Sequence, residues 1–220
     1  IGNYRDIFVG TGLLRSFFNS VLYTVTGTIF SMFLATTLAY GLSKKNYPGR
    51  ALFQNMIVFT MYFGGGVVPF FLLVKDLGLY GNRFAVVIAL AFNAFNMIIL
   101  RNFFESLPPD LEEAAMLDGA SPFRIFWQIL LPLMKPALFS AGLFQFLWTY
   151  NDYFNSLIFI NSVKKYTVSL ALRLSVDAES VVVWGRVMAM ACVAVLPLVL
   201  LFFAAQKYFV EGIATSGLKG

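Results

Sequence analysis

The chain has 220 residues, 59% of them hydrophobic and only 12% charged, with a net charge of +5. A soluble domain carries about a quarter charged residues, so the composition belongs to an integral membrane protein. Scattered basic residues without a run or stripe exclude a nucleic-acid surface. The absence of His excludes the usual zinc sites and His-based acid–base catalysis, and the single Cys192 excludes an intrachain disulfide.

A bilayer-spanning helix needs about 20 mostly apolar residues. Five segments meet or approach that length: 17–42, 51–74, 84–100, 136–160 if Asp152 is tolerated, and 187–206. In the first, Ser31, Ala35 and Ala39 recur every four residues and mark a face that a neighbouring helix can approach closely. A short basic turn, SKKNYPGR, leads to the second, where Gly64, Gly65, Gly66 and Pro69 weaken or break the helix. That break reads either as a hinge or as a kink packed by its neighbours, and Pro197 in the last segment raises the same choice. The turn KDLGLYGNR precedes the third segment, 161–186 reads as a polar loop, and a short Gly-rich tail follows 206. None of the apolar segments alternates with period two, which argues against a β-barrel. The Phe-rich aromatic content reads as lipid contact. The expected fold is therefore all-α, a polytopic helical bundle. Lys and Arg divide evenly between the two sides, so the positive-inside rule does not choose an orientation.

Residues 101–135 interrupt this pattern with EEAAMLDGASPFRIFWQILLP at their centre. Pro108 and Pro109 end what precedes them. Asp110 is then expected as N-cap with Glu113 three residues on, and Asp110, Glu112 and Glu113 suit the positive end of a helix dipole. Gly119 is placed to end this helix in a left-handed conformation, and Ser121 with Pro122 to start another. The predicted unit is a helix–turn–helix too short and too charged to cross the bilayer. Its first helix is expected to expose Ala114 and Ala115. It serves either to dock a partner protein or to lie on the headgroups.

The pattern Glu113-Ala114-Ala115, Gly119, Ile129, Leu131, Pro132 resembles the EAA motif of permease subunits of bacterial binding-protein-dependent ABC importers. The resemblance continues through YPGR, LGLYGNRFA and the tail QKYFVEGIATSGLKG, which is similar to the ending of carbohydrate-uptake (maltose-type) permeases. It implies a single transmembrane domain over 1–220 in the bacterial cell membrane, with a sixth, N-terminal span upstream of Ile1. It also implies a cytoplasmic loop 101–135 that carries a coupling helix and an external loop 161–186. Glu112, Glu113, Ala114, Ala115, Asp118 and Gly119 would couple to an ATPase, and the tail near Gly217 and Gly220 would approach it. Implied partners are a second permease subunit in a heterodimer, two ATP-binding subunits that hold ATP and Mg, an extracellular solute-binding protein, membrane lipid and a carbohydrate substrate. Where the family often has Trp-Asn-Glu/Asp-Phe, this chain has Tyr150-Asn151-Asp152-Tyr153.

A permease needs a pathway and no catalytic group. The candidate lining residues are the polar ones within the spans: Asn93, Asn96, Gln145, Tyr150, Asn151, Asp152 and Asn155. They supply hydrogen-bonding groups and an aromatic face for a sugar, or they tie helices together. No G-x-x-x-x-G-K-[ST] phosphate loop occurs, so no nucleotide cofactor is expected in this chain. An ion- or proton-coupled secondary transporter is the alternative, against which the scarcity of ionisable residues in the spans speaks.

Overall fold

The computed structural model describes residues 12–177 and 184–217, with side chains described as far as 204 except at 177 and 186. Every regular element among these residues is helical. Helix α1, Leu13–Ser43, runs 31 residues without an acidic residue in its first turn or a basic one in its last. At 1.5 Å per residue that is about 46 Å, longer than the roughly 30 Å hydrocarbon core. After the basic turn come α2 (Arg50–Tyr62) and α3 (Val67–Asp76), separated where the glycines stand. Gly66 has φ +85°, a conformation only glycine adopts readily, and it is the N-cap of α3. Pro69 falls in the first turn of α3, where a missing N–H costs little.

Two further spans are broken where the sequence read them as continuous. Segment 84–100 divides into α4 (Arg83–Ala89) and α5 (Ala94–Ser106), because the Asn93 side chain accepts from the Asn96 N–H at 3.2 Å and caps a new helix. Segment 136–160 divides into α8 (Lys135–Asn151) and α9 (Phe154–Phe159) at Asp152–Tyr153, where Asp152 Oδ1 accepts from Asn155 Nδ2 at 2.9 Å. Between α5 and α8 lie α6 (Asp110–Leu117) and α7 (Pro122–Leu133), the latter π-helical over Ile125–Leu130. The expected polar loop 161–186 also changes. It holds a 3-10 turn, Val163–Lys165, and a helix α10, Val168–Asp177. Thr167 Oγ1 accepts from the Leu170 N–H to start α10, and Val168 and Leu170 are buried. Helix α11, Trp184–Gly217, accommodates Pro197 in its interior. Two of these helices are long and apolar enough to cross a membrane, and counting each bent pair as one span gives up to five crossings.

The contacts gather into two compact units. The first comprises the described residues of Ile1–Thr28, Gly65–Ala91 and Phe146–Ala204. Its cores are Tyr23, Val74, Ala85, Val86, Phe159 and Ile160, and, separately, Leu13, Val168, Ala189 and Met190. Hydrogen bonds pin its connecting loops. Asn19 Nδ2 donates to the Lys164 and Tyr166 carbonyls at 3.0 and 3.1 Å, Tyr23 Oη to the Lys165 carbonyl at 3.0 Å, and the Gly81 N–H to the Phe159 carbonyl at 2.9 Å.

The second unit comprises Ile29–Gly64, Phe92–Gln145 and the described residues of Ala205–Gly220. Its core runs from Ala35, Ala39 and Leu42 through Met97, Leu100 and Phe104 to Ala115, Ile125, Phe126, Leu130 and Met134. The seam of small residues is fully buried at Ser31, Ala35 and Ala39. Across from it, a Cβ added at Gly142 would lie 3.9 Å from the Met32 side chain, so α8 also uses a small residue where α1 comes near.

Candidate functional site

The helix–turn–helix of 101–135 is built almost entirely by backbone hydrogen bonds. Pro109, not Asp110, is the N-cap of α6, and no side chain caps that end. The Pro109 carbonyl accepts from the Glu112 and Glu113 N–H groups at 3.0 and 3.1 Å. The proline ring already fixes Pro109 near helical φ, so Asp110 enters the helix as its first residue. Asp110, Glu112 and Glu113 all lie in the first turn.

The other end is a Schellman turn. The Ala120 N–H donates to the Ala115 carbonyl at 2.9 Å and the Gly119 N–H to the Met116 carbonyl at 3.0 Å, with Gly119 at φ +79°. Ser121 Oγ then accepts from the Arg124 N–H at 3.3 Å, with Pro122 opening α7. A Cβ at Gly119 would meet nothing within 4 Å, so the requirement for glycine there comes from φ and not from space.

Ala115 does not lie on the outward face expected for both alanines. It is buried in the core of the second unit with Ile125 and Phe126, while Ala114 is exposed. Glu113, Asp118 and Gly119 are exposed as well. The outer surface of the segment is more apolar than the motif alone indicates: Leu117 is 89% and Phe123 72% exposed, and Met116 is exposed beside them. Sequence reasoning passed over these three because large apolar residues in a membrane protein read as core or lipid contact.

A platform of side chains fixes the segment in place. Lys44 pairs with Glu112 and lies 4.3 Å from the centroid of the Tyr40 ring. That ring packs on Phe126 at 4.8 Å and on Phe104 at 5.5 Å between centroids, joining α1, α5 and α7 beneath α6. Arg50, the first residue of α2, pairs with Glu105 and donates through Nε to the Leu42 carbonyl at 2.9 Å; Gln54 donates to the same carbonyl at 3.2 Å. Arg101 lies 3.3 Å from Glu105. The Lys44–Glu112 and Arg50–Glu105 pairs each reach across more than 50 residues of sequence, which is why neither was visible in it.

The candidate pathway residues fall into separate groups. In the second unit, Asn93 caps α5 and Asn96, fully buried, donates through Nδ2 to Gln145 Oε1 at 3.1 Å. This bond joins α5 to α8 as a helix clamp. Asn96 Oδ1 is buried without a hydrogen-bond partner.

In the first unit, Tyr150 is buried and its Oη donates to the Ala194 carbonyl at 2.8 Å, while Asn151 is exposed and donates to the Leu147 carbonyl at 2.9 Å. Asp152 and Asn155 are occupied with each other, and Asp152 Oδ2 is buried without a partner. Tyr150 and Asn151 line a cleft of about 420 Å³, bounded also by Tyr153, by Ser169 and Arg173 of α10, and by α11. Ser169 and Arg173 were read as loop residues. The signal that places them is the four-residue repeat Val168, Leu172, Val176, which carries 169 and 173 along the same helix face. Gly220 lies outside the described residues, and of Gly217 only the backbone is described, as the end of α11.

The profile of the family described as "Binding-protein-dependent transport system inner membrane component" matches residues 27–215. Protein LplC of Bacillus subtilis is 36% identical over 230 residues, covering 99% of this chain and 78% of the relative. The polygalacturonan/rhamnogalacturonan transport system permease protein YtcP of the same organism is 37% identical, covering 99% and 81%. Among solved structures, the crystal structure of a bacterial ABC transporter involved in import of the acidic polysaccharide alginate matches with a TM-score of 0.88 and 34% identity. That match covers 94% of this chain and 79% of the other. The secondary-transporter alternative is thereby set aside. With the profile matched from 27 to 215 and these relatives aligned across nearly its whole length, the chain belongs to the family of binding-protein-dependent transport system inner membrane components, multi-pass permeases of ABC transporters.

Proposed function

We propose that this permease forms half of the translocation pathway of an ATP-driven importer of oligosaccharides or polysaccharide fragments, in the bacterial cell membrane. A second, different permease subunit supplies the other half. Two ATP-binding subunits hold ATP and Mg and hydrolyse the nucleotide, and an extracellular solute-binding protein delivers the substrate. Loop 101–135 faces the cytoplasm, and the whole chain acts as one transmembrane domain. Glu112, Glu113, Ala114, Asp118 and Gly119 stand at or beside the ATPase contact, with Ala115 supporting it from below.

One observation carries this reading. The α6–α7 turn presents Leu117 and Phe123 to the outside, on a segment locked by the Schellman turn and tied to α1 through Lys44. A rigid, exposed apolar knob on a multi-pass permease is suited to transmit force to another protein. The saccharide class is drawn from the relatives, two of which are named for polysaccharide import or transport.

The test is reconstitution. The chain is co-expressed with its neighbouring permease, ATPase and binding protein, and the purified complex is placed in liposomes. ATP hydrolysis stimulated by saccharide-loaded binding protein, together with saccharide uptake, is the expected result. A purified complex without an ATPase subunit, or uptake that proceeds without ATP, overturns the proposal.

A further inference from the structure

We infer that the outer face of α7 lies on the cytoplasmic leaflet and binds the headgroups of anionic phospholipid, with Trp127 as its anchor and Arg124 and Lys135 as its cationic contacts. This rests on the cytoplasmic placement of loop 101–135 proposed above, and it assigns the part of that loop which the ATPase contact leaves free.

The sequence sets the direction of α7. Pro136 has no N–H to donate to the Pro132 carbonyl, and its ring would clash there, so one helix cannot run through both. The chain turns at Met134 instead, and α7 and α8 meet at 80°. Helix α8 has 17 residues, within the roughly 17–25 that a crossing takes. With α8 crossing the bilayer, α7 runs close to the membrane plane.

The two faces of α7 differ. Ile125, Phe126, Leu130 and Met134 belong to the core of the second unit. Trp127 remains 45% and Leu133 52% exposed. Water is a poor environment for both, whereas an indole, with its apolar body and its N–H, suits the headgroup level. Arg124 and Lys135 are exposed at either end of the helix. Arg124 Nε donates to Gln128 Oε1 at 2.9 Å, and neither cation forms an ion pair among the described residues. Exposed apolar side chains bracketed by cations are the pattern of a helix that lies on an anionic leaflet.

Charge selects lipid over the ATPase as the occupant. From Asp110 to Asp118 the chain carries four acids and no base, whereas from Ala120 to Asn151 it carries two bases and no acid. An anionic surface repels α6 and attracts α7. The turn at Gly119 therefore separates a helix held off the membrane from one laid along it. Phe123, beside that turn, stays with the ATPase knob. Its ring centroid is 6.0 Å from that of Trp127, where the lipid contact begins.

The experiment places a photoreactive benzoylphenylalanine at position 127, and separately at position 133, of the permease within the whole complex. The liposomes contain equal parts of phosphatidylglycerol and phosphatidylcholine. Adducts formed on illumination are identified by mass spectrometry and by gel mobility. The expected result is a lipid adduct in which phosphatidylglycerol exceeds phosphatidylcholine by about threefold or more at low salt. Arg124→Gln with Lys135→Gln should bring the two lipids to parity. Arg124→Lys with Lys135→Arg should keep the preference, which separates loss of charge from loss of fold. High salt should lower the preference, because screening weakens the attraction of exposed charges.

An adduct to the ATPase subunit with none to lipid would overturn the inference and leave the importer reading intact. No adduct at either position would overturn it as well, as would lipid parity in the otherwise natural permease or a preference that survives the double Gln change. If no ATPase co-purifies, the importer reading fails. The same anionic-lipid adduct, read on the full permease chain, would then still support this inference.

Discussion

At the scale of single residues, two glycines share a left-handed backbone but differ in the space around them. Gly119 has φ +79° with open space around its Cα, whereas Gly81 has φ +75° and a Cβ there would come within 2.9 Å of the Asn161 amide. Gly119→Val should cost about 1–2 kcal/mol from the left-handed backbone alone, and Gly119→Asn should cost clearly less, since Asn tolerates that region. Thermal unfolding of the purified complex and its substrate-stimulated ATP hydrolysis check this ordering. At Gly81 both effects act, so Gly81→Ala should unfold at lower temperature, and a second change, Asn161→Gly, should restore only the part that came from the clash. Equal stability of the single and double variants would show that backbone strain is the whole effect. Ala115 is a third case. It is packed with Ile125 and Phe126, so Ala115→Leu should destabilise the second unit by about 1–3 kcal/mol through overpacking, seen as a lowered unfolding temperature even in the isolated permease.

The element that matters most is α6 with its turn. Its inner side is tied down by the Lys44–Glu112 pair, with Lys44 35% and Glu112 22% exposed. Partly solvated pairs of this kind contribute roughly 0–1 kcal/mol. Their expected effect is therefore on position more than on stability. Lys44→Glu should weaken retention of the ATPase subunit with little change in the permease's own unfolding, and the exchanged pair Lys44→Glu with Glu112→Lys should recover it. On the outer side, Leu117→Asp or Phe123→Ala should leave membrane insertion and solute-binding-protein affinity unchanged. Either change should lower ATPase association by about tenfold or more, because a few anchoring side chains carry most of the binding energy of a protein contact. Co-purification yield and uptake are the measurements. Variants at both positions with full uptake would show that the knob is not the contact.

For the whole molecule, the decisive quantity is orientation. A thiol introduced at Ser121 should react only from the cytoplasm, and one at the exposed Val163 only from outside. Cys192 is itself exposed, so the native cysteine must first be replaced by Ser. Labelling of the Ser121 position by an impermeant reagent on intact cells would reverse the orientation and with it the assignment of α6 to an ATPase.

The sequence alone determined the membrane class and the all-helical fold. It also determined the left-handed Gly119, the Ser121 cap and the break at Gly64–Gly66. All of these depend on local chemistry: apolar run length, the φ that only glycine adopts readily, and side chains that bond backbone two or three residues away. It misjudged Asp110 because a neighbouring proline competed for the same capping position. It also missed the breaks at Asn93 and Asp152, where a polar residue inside an apolar run reads as pathway and not as a helix end. Helix α10 went unread because its charged residues masked a four-residue apolar repeat. Tertiary structure alone decided which alanine of the motif faces inward, which cations meet Glu112 and Glu105, and that Arg173 shares a cleft with Tyr150 and Tyr153. Those are contacts between residues far apart in the chain, and only packing of the helices brings them together.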